Sequence, residues 1–515
     1  MIFLLKNAIF FALINSVLMK INYRPIFYFA VCFVVGLLLA KYFVKPSIVH
    51  IIFAILFLAS ILYFCIKKRY FKRLVILSLA FFIGIFYFIS GALVFMKDDI
   101  DMAFISGRIK SGSHYSTYGS YILDDIKINN KDTNFCISAL VYGDEIEIGK
   151  VITFSSSLES VDLFGDDEYA TYYYKQNAPY RCYISYDDIS ICDGYTKLDE
   201  TIVENFYNYL TSVCSEDMAG FITCVIFGDK THVSPGIESA YLDSGMSHLL
   251  AVSGMHIAIL VSIFSFILNK LKTKKWLKFL IIVLPLAFFT YLCDFAPSIT
   301  RALVMSLVFS FGEVVGKKYD SLNSLGICAL IILFIKPIYI FDYGFLLSFL
   351  CVFCIFTLTK PFTKAFKRLG FKKFSSLLGL TVSVQLGLIP VLMTISSSFN
   401  VLTFIVNLIC VPIFEFAFVL TLIIVPLCVL FPFLSFLFSF IQFIYFAVSQ
   451  LAEIVSTQSW AYIPLVNLKD IFAICSYVSI FCLSDYVLAN KKVKAIVSVS
   501  VFALGITLGG ILAAI

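Results

Sequence analysis

The feature that most limits how this chain can fold is a succession of apolar runs, each near the ~20 residues a helix needs to cross about 30 Å of hydrocarbon. They fall at 25–43, 48–66 and 74–96, and after a long polar gap at 248–270, 277–294, 298–316, 321–338, 343–360, 375–396, 401–430, 433–456, 470–489 and 495–514. With 60% hydrophobic and 14% charged residues, the chain has too little polar surface for a water-soluble globule of this length. The expected fold is a polytopic α-helical membrane protein of about 13 spans. Residues 2–19, apolar apart from Lys6, Asn7, Asn15 and Ser16, fit a further span, an interfacial helix or a signal anchor.

Charge divides the chain as sharply as hydropathy does. Residues 97–204 carry 20 Asp/Glu against 9 Lys/Arg, whereas the rest carries 13 against 30, so a net +6 conceals an acidic insert and a basic membrane part. Short Lys/Arg-rich loops stay cytoplasmic, and Lys67–Arg73 lies between the second and third runs, which puts the insert outside. The same alternation sends Lys272–Lys278, Lys317–Lys318, Lys360–Lys373 and Lys491–Lys494 to the cytoplasm. Alternating stretches such as Tyr121–Ile128 and Phe135–Tyr142 mark the insert as a small external all-β domain. Its Cys136, Cys182 and Cys192 allow one disulfide in an oxidising exterior, Cys136 with one of the other two.

The expected domains are therefore 1–96, N-terminal spans; 97–204, the β-rich insert; 205–247, interfacial amphipathic helices; 248–456, a transmembrane core; and 457–515, C-terminal spans. Pro285, Gly387, Pro390 and Pro412 predict kinked or broken helices, tolerated in lipid where the freed backbone faces protein or water. No GxxxxGK[ST] phosphate loop occurs, the nearest string being Gly312-Glu-Val-Val-Gly-Lys-Lys, so any energy for transport comes from elsewhere. HExxH and similar metal-hydrolase spacings are absent too. No cofactor, resident metal or catalytic residue is assigned.

Ionisable and polar groups inside apolar spans are costly, and so point to function. The richest stretch joins Phe227-Gly-Asp229-Lys230 to Ser244-Gly-Met-Ser-His248-Leu-Leu-Ala-Val-Ser253-Gly-Met-His256. Eight residues separate the two histidines, which on an unbroken helix puts them near one face with Ser253 close by. Interhelical hydrogen bonding explains these residues as readily as chemistry does. Asp294 and Arg301 bracket a Pro-Ser turn, and Arg301 fits an anion path, a snorkelling cation or a partner for Asp294. Asp342 opens one span, Gln385 precedes Pro390, and Asn407 leads to Pro412 and Glu415.

The order of these strings closely resembles the ComEC-type DNA-uptake channel family of bacterial competence. The Phe-Gly-Asp, Gly-x-x-His-Leu-Leu-Ala-x-Ser-Gly-x-His, Pro-Ser-x-x-Arg-Ala-x-x-Met, Asp-x-Gly-Phe-x-x-Ser-Phe and Asn-Leu-x-x-x-Pro strings appear in the family's order, most clearly over about 227–415. The resemblance implies a channel carrying single-stranded DNA through the bacterial cell membrane, with an OB-like domain outside. A surface DNA receptor and a cytosolic helicase-like ATPase are its implied partners. Its path would be lined by Asp229, Lys230, His248, Ser253, His256, Asp294, Arg301, Asp342, Gln385 and Asn407.

Two features depart from that pattern. Family members commonly continue into an external metallo-β-lactamase-like domain, whereas this sequence stops at Ile515, which implies a separate nuclease or a missing step. The insert's acidity also opposes phosphate binding, unless Lys175 and Arg181 beside Tyr172, Tyr173, Tyr174 and Tyr180 form a local groove. Rival readings remain: an intramembrane hydrolase with Ser253 as nucleophile and His248 or His256 as base, a metal site using those histidines with Asp229 or Asp294, and a small-solute transporter.

Overall fold

A computed structural model describes residues 24–43, 71–114, 117–163, 169–193, 197–271, 273–316, 320–395, 398–464, 469–484, 486–487 and 491–514. The apolar run 48–66 and residues 2–19 lie outside the described residues. The described chain divides into two compact bodies, one formed by Ile26–Thr201 with Gly326–Phe345 and the other chiefly by Ile202–Leu325 with Leu346–Ile515.

The first body begins with α1 (Pro25–Phe43) and α2 (Phe71–Phe95). A Cβ on Gly36 would sit 2.2 Å from the Phe81 carbonyl oxygen, and one on Gly84 would sit 2.4 Å from that of Phe33. The two backbones touch through these glycines, the packing that lipid favours because burial of apolar surface no longer drives association.

A barrel follows, built from β1 (Ile100–His114), β2 (Tyr118–Ile128), β3 (Lys131–Asp132), β4 (Ile137–Tyr142), β5 (Val151–Ser160), α3 (Ala170–Lys175), β6 (Tyr180–Ser185) and β7 (Ser190–Cys192). The pairing order β1-β2-β4-β6-β5 closes through β1–β5, with β4 and β6 parallel. This is a five-stranded closed barrel of the OB-like kind. One long β1 serves both neighbours because register shifts at Ser106/Arg108 and Ile109/Ser111 bend it around the barrel. Alternation fills the interior: Ile152, Phe154 and Leu158 of β5 point inward with Ile105, Leu123, Ile137 and Val141.

The disulfide expected in this insert is not formed; Cys136, Cys182 and Cys192 are free thiols. Register explains why. Cys182 pairs with Ala139 across β4–β6, three residues along from Cys136, and faces the core, while Cys192 pairs with Val151 on β5 and faces solvent. Burial pushes the Cys182 thiol up to about 12.

In the second body come α4 (Leu198–Thr211), whose first turn belongs to the barrel body, then α5 (Glu216–Phe227), α6 (Pro235–Asp243), α7 (Gly254–Lys270), α8 (Lys275–Leu292) and α9 (Pro297–Val315). α10 (Ser321–Ile335) and α11 (Tyr343–Arg368) straddle the division, and α12 (Ser375–Ile395), β8 (Ser398–Asn400), α13 (Thr403–Leu430), α14 (Phe438–Ser456), β9 (Tyr462–Pro464), α15 (Lys469–Leu483) and α16 (Lys491–Ala514) complete the body. Among the described residues, 7 helices are long and apolar enough to cross a membrane, and shorter apolar helices occupy Pro25–Leu38, Gly254–Lys270, Ser321–Ile335, Phe472–Leu483 and Val493–Thr507. α5 is buried from Ala219 through Ile226, in one apolar cluster with Phe414 and Phe418 of α13 and Tyr445 of α14. A helix covered all round belongs inside a bundle.

Candidate functional site at the broken helices

The helix expected across 248–270 is broken at its start. Gly245 (φ 75) ends α6, Ser247–Leu249 makes a single 3-10 turn, and α7 begins only at Gly254. The two histidines therefore do not share a helix face. His248 is exposed, whereas His256 is 1% exposed with its ring stacked on Phe418, 4.0 Å between centroids.

Ser253 and His256 form a capping box. The Ser253 Oγ accepts the Met255 N–H (3.2 Å), and the His256 Nδ1 accepts the Ser253 N–H (3.1 Å). Both side chains satisfy the otherwise orphaned donors at the start of α7. A hydrolytic pair needs His256 aimed at the Ser253 hydroxyl, and here its Nδ1 lone pair is occupied by main chain.

The broken segment gathers the other motifs. Gly228 of Phe-Gly-Asp ends α5 in the left-handed region (φ 81), and a Cβ there would lie 3.2 Å from Val252. Cys224 donates to the Leu250 carbonyl at 3.1 Å, so the unwound chain lies on the end of α5. Thr403, the first residue of α13, donates to the Ser244 carbonyl (3.0 Å) and fills the space that a side chain on Gly245 would need. Asn400 and Tyr462 hold the Asp243 carbonyl from the same side.

Arg301 completes the junction. It is 7% exposed on α9 and donates from Nη1 to the Ser348 carbonyl of α11 at 3.1 Å. Its Nη2 lies 2.4 Å from where a Cβ on Gly254 would be, which leaves glycine as the one residue that seats the guanidinium against α7. Gly254, Arg301 and Ser348 come from three different sequence strings, and no short-range pattern links them.

The remaining expected path residues make contacts of their own. Asp229 closes a turn on Thr231, with its Oδ1 3.0 Å from the Thr231 nitrogen, and Lys230 pairs with Glu238 at 2.5 Å on the surface. Asp294 occupies an exposed turn where it and Phe295 both take positive φ (47 and 50). Asp342 lies in the first body, where it accepts the Phe345 N–H (2.9 Å) and pairs with Lys175. Gln385 and Asn407 are buried within α12 and α13.

The groove imagined around Lys175 and Arg181 does not form either. Lys175 is bound to Asp342, Arg181 to Glu159 at 3.0 Å, Tyr174 packs on Phe95 (centroids 4.4 Å apart), and Tyr173 and Tyr180 are buried. Exposed aromatics of the barrel include Phe104 on β1, Tyr142 on β4 and Tyr183 on β6, with Tyr118 of β2 6.1 Å from Tyr142. Among the described residues no group of three or more His, Cys, Asp or Glu is gathered as a metal site would require.

Fold and junction together define a polytopic membrane protein whose helices are interrupted at a shared polar node and which carries an OB-like barrel. Residues 225–488 match the Competence protein family, and the chain belongs to that family. It is 26% identical over 253 residues, 49% of this chain and 32% of the relative, to ComE operon protein 3 of Bacillus subtilis (strain 168). It is also 28% identical over 138 residues, 27% of this chain and 32% of the relative, to an uncharacterized protein of Aquifex aeolicus (strain VF5). Each match spans about a third of the length of the curated relative. No solved structure matches the chain.

Proposed function

We propose that this chain forms the membrane channel through which single-stranded DNA enters the bacterial cytoplasm during natural transformation, with the barrel on the outer side. Membership of the competence family supports the process; the observation that carries the channel reading is the unwound segment Gly245–Ser253, non-helical backbone between α6 and α7 on which the exposed His248 sits. Non-helical backbone at membrane depth is tolerated where it lines an aqueous cavity or is buried in protein, and a strand with one charge per nucleotide needs such a cavity. Arg301 offers the phosphate attraction, and neutral donors and acceptors at His248, Gln385 and Asn407 offer the weak contacts that suit transit.

On the barrel, Tyr118, Tyr142 and Tyr183 occupy neighbouring strands β2, β4 and β6. OB folds use this region of the sheet for ligands, and flat rings stack on any base, so the acidic surface is compatible with sequence-tolerant capture. A surface DNA receptor delivers the strand, and a cytosolic helicase-like ATPase or the proton gradient pulls it.

Deleting the gene should leave DNA bound at the cell surface while stopping entry of labelled strand into the cytoplasm; normal entry refutes the reading. Arg301→Gln should lower entry by about tenfold or more, a loss of ~1.4 kcal/mol, at unchanged protein level; a collapse in level instead makes Arg301 a packing residue. Orientation has its own test. A membrane-impermeant maleimide should label the exposed Cys192 on intact cells, and Cys192→Ser should abolish that signal.

A further inference from the structure

Glu415 is the single charged side chain in the 28 residues of α13, and it lies near the middle of that helix. Roughly 18 Å of helix separates it from Thr403, too far for its short stem to reach either headgroup layer. Its Oε2 is shielded from solvent and has no hydrogen-bond partner among the described residues. Pro412, less than a turn earlier, has no N–H and so frees the Leu408 carbonyl. One residue before Leu408, the Asn407 Oδ1 is likewise buried with no hydrogen-bond partner among the described residues.

Among the described residues, the elements packed around Glu415 bring no salt-bridge partner to it. α14 contributes Tyr445, whose hydroxyl shares a hydrogen bond with Thr421 (3.3 Å), and α7 contributes His256, stacked on Phe418. α5 and α6 add Cys224 and Tyr241 to the same apolar cluster, α12 has no ionisable side chain, and Cys410 is the nearest on α13 itself. Glu415 is half-buried, and a carboxylate whose Oε2 is shielded with no partner among the described residues is costly inside a membrane span, a cost that binding a small cation relieves.

We propose that Glu415 is a proton-binding site at the bilayer midplane, taking up one proton from one aqueous side and releasing it to the other as the channel works. The Leu408 carbonyl and the Asn407 Oδ1 supply acceptors for water along α13. This would give a chain without a phosphate loop its own means of drawing on the proton gradient. The coupling role rests on the channel reading; the site itself does not.

The test separates the two. Carbodiimides react with protonated carboxyl groups in apolar surroundings, so full-length protein in lipid nanodiscs is treated with dicyclohexylcarbodiimide and mapped by peptide mass spectrometry. An adduct on Glu415 that declines at alkaline pH, is unaffected by sodium, persists in Glu415→Asp and vanishes in Glu415→Gln is expected. Absence of an adduct at every pH overturns the site, and protection by sodium overturns the proton as its ligand. In cells, Glu415→Gln should keep the protein level and lower DNA entry about tenfold, leaving a remainder insensitive to a protonophore; unchanged entry overturns the coupling. An adduct in wild type with no DNA entry in any strain would sink the channel reading and leave the proton site standing.

Discussion

Each of the two bodies buries an arginine, and each holds it differently. In the barrel, Arg108 is 1% exposed and forked between carboxylates: Nε and Nη2 reach Asp124 at 3.1 Å each, and Nη1 reaches both oxygens of Glu200 at 2.9 and 2.8 Å. Burial alone would favour loss of its proton, but the hydrogen bonds to Glu200 and Asp124 outweigh that and raise its affinity for it. In the helical body, Arg301 is seated by shape, with a neutral carbonyl at Ser348 and a glycine at 254. Opposite charges fix architecture by neutralising each other. A carbonyl and a cleared space hold a guanidinium by shape and hydrogen-bond geometry.

The largest expected effect tests the first half of this contrast. Arg108→Met would remove the guanidinium that joins Asp124 to Glu200 and leave Asp124 with Lys197 as its cation, and breaking a buried pair in this way costs about 3 kcal/mol or more. Limited proteolysis should then cut the barrel while α7 to α14 stay protected; a barrel as resistant as wild type would show that the ion network is dispensable. Asp124→Asn should cost less, since one acceptor oxygen remains for Arg108 or Lys197, although the amide NH2 offers the other no acceptor.

Gly254→Ala attacks the second half. A methyl group 2.4 Å from Nη2 must displace the guanidinium or the start of α7, an overpacking cost of about 1 to 3 kcal/mol. The double variant Gly254→Ala/Arg301→Gln should be milder than the sum of the two single changes in thermal stability, because both remove one contact. Strict additivity would separate the two residues energetically. Ser253→Ala comes next, removing a cap worth about 1 kcal/mol with DNA entry preserved. Loss of entry at full protein level would restore a chemical role for the hydroxyl.

Legibility in the sequence follows the same contrast. Spans and barrel could be read because period and length are local: ~20 apolar residues for a helix, alternation for a strand. Where the prediction failed, a local rule was extended through a break. His248 and His256 look co-facial only if helix runs through Leu250–Ser253, and it does not. The expected disulfide ignored that β4–β6 register sets Cys182 opposite Ala139. Ser253 and His256 did carry a readable signal, since a serine followed three residues later by an acceptor is a capping box. Arg301 against Gly254 carried none, because 47 residues of chain separate two groups that only tertiary packing brings together.

The smallest effect sharpens the comparison at its edge, where Lys197 adds a second cation to the barrel's network. Burial lowers its proton affinity, but its hydrogen bond to Asp124 (2.6 Å) and the charge there outweigh this, so its folded-state value lies above the ordinary 10.5. A group that binds its proton more tightly when folded stabilises the fold fully below its unfolded value, and that contribution fades as pH rises through the folded one. The lysine is 35% exposed, so solvent screening limits the contribution to about 0.5 kcal/mol. The difference in barrel stability between wild type and Lys197→Met should accordingly be constant from pH 7 to about 10 and shrink above about 10.5. Arg108, protonated throughout, should show no such decline; a wild-type advantage that persisted at the highest pH would mean that Lys197 acts through packing of its stem rather than through charge.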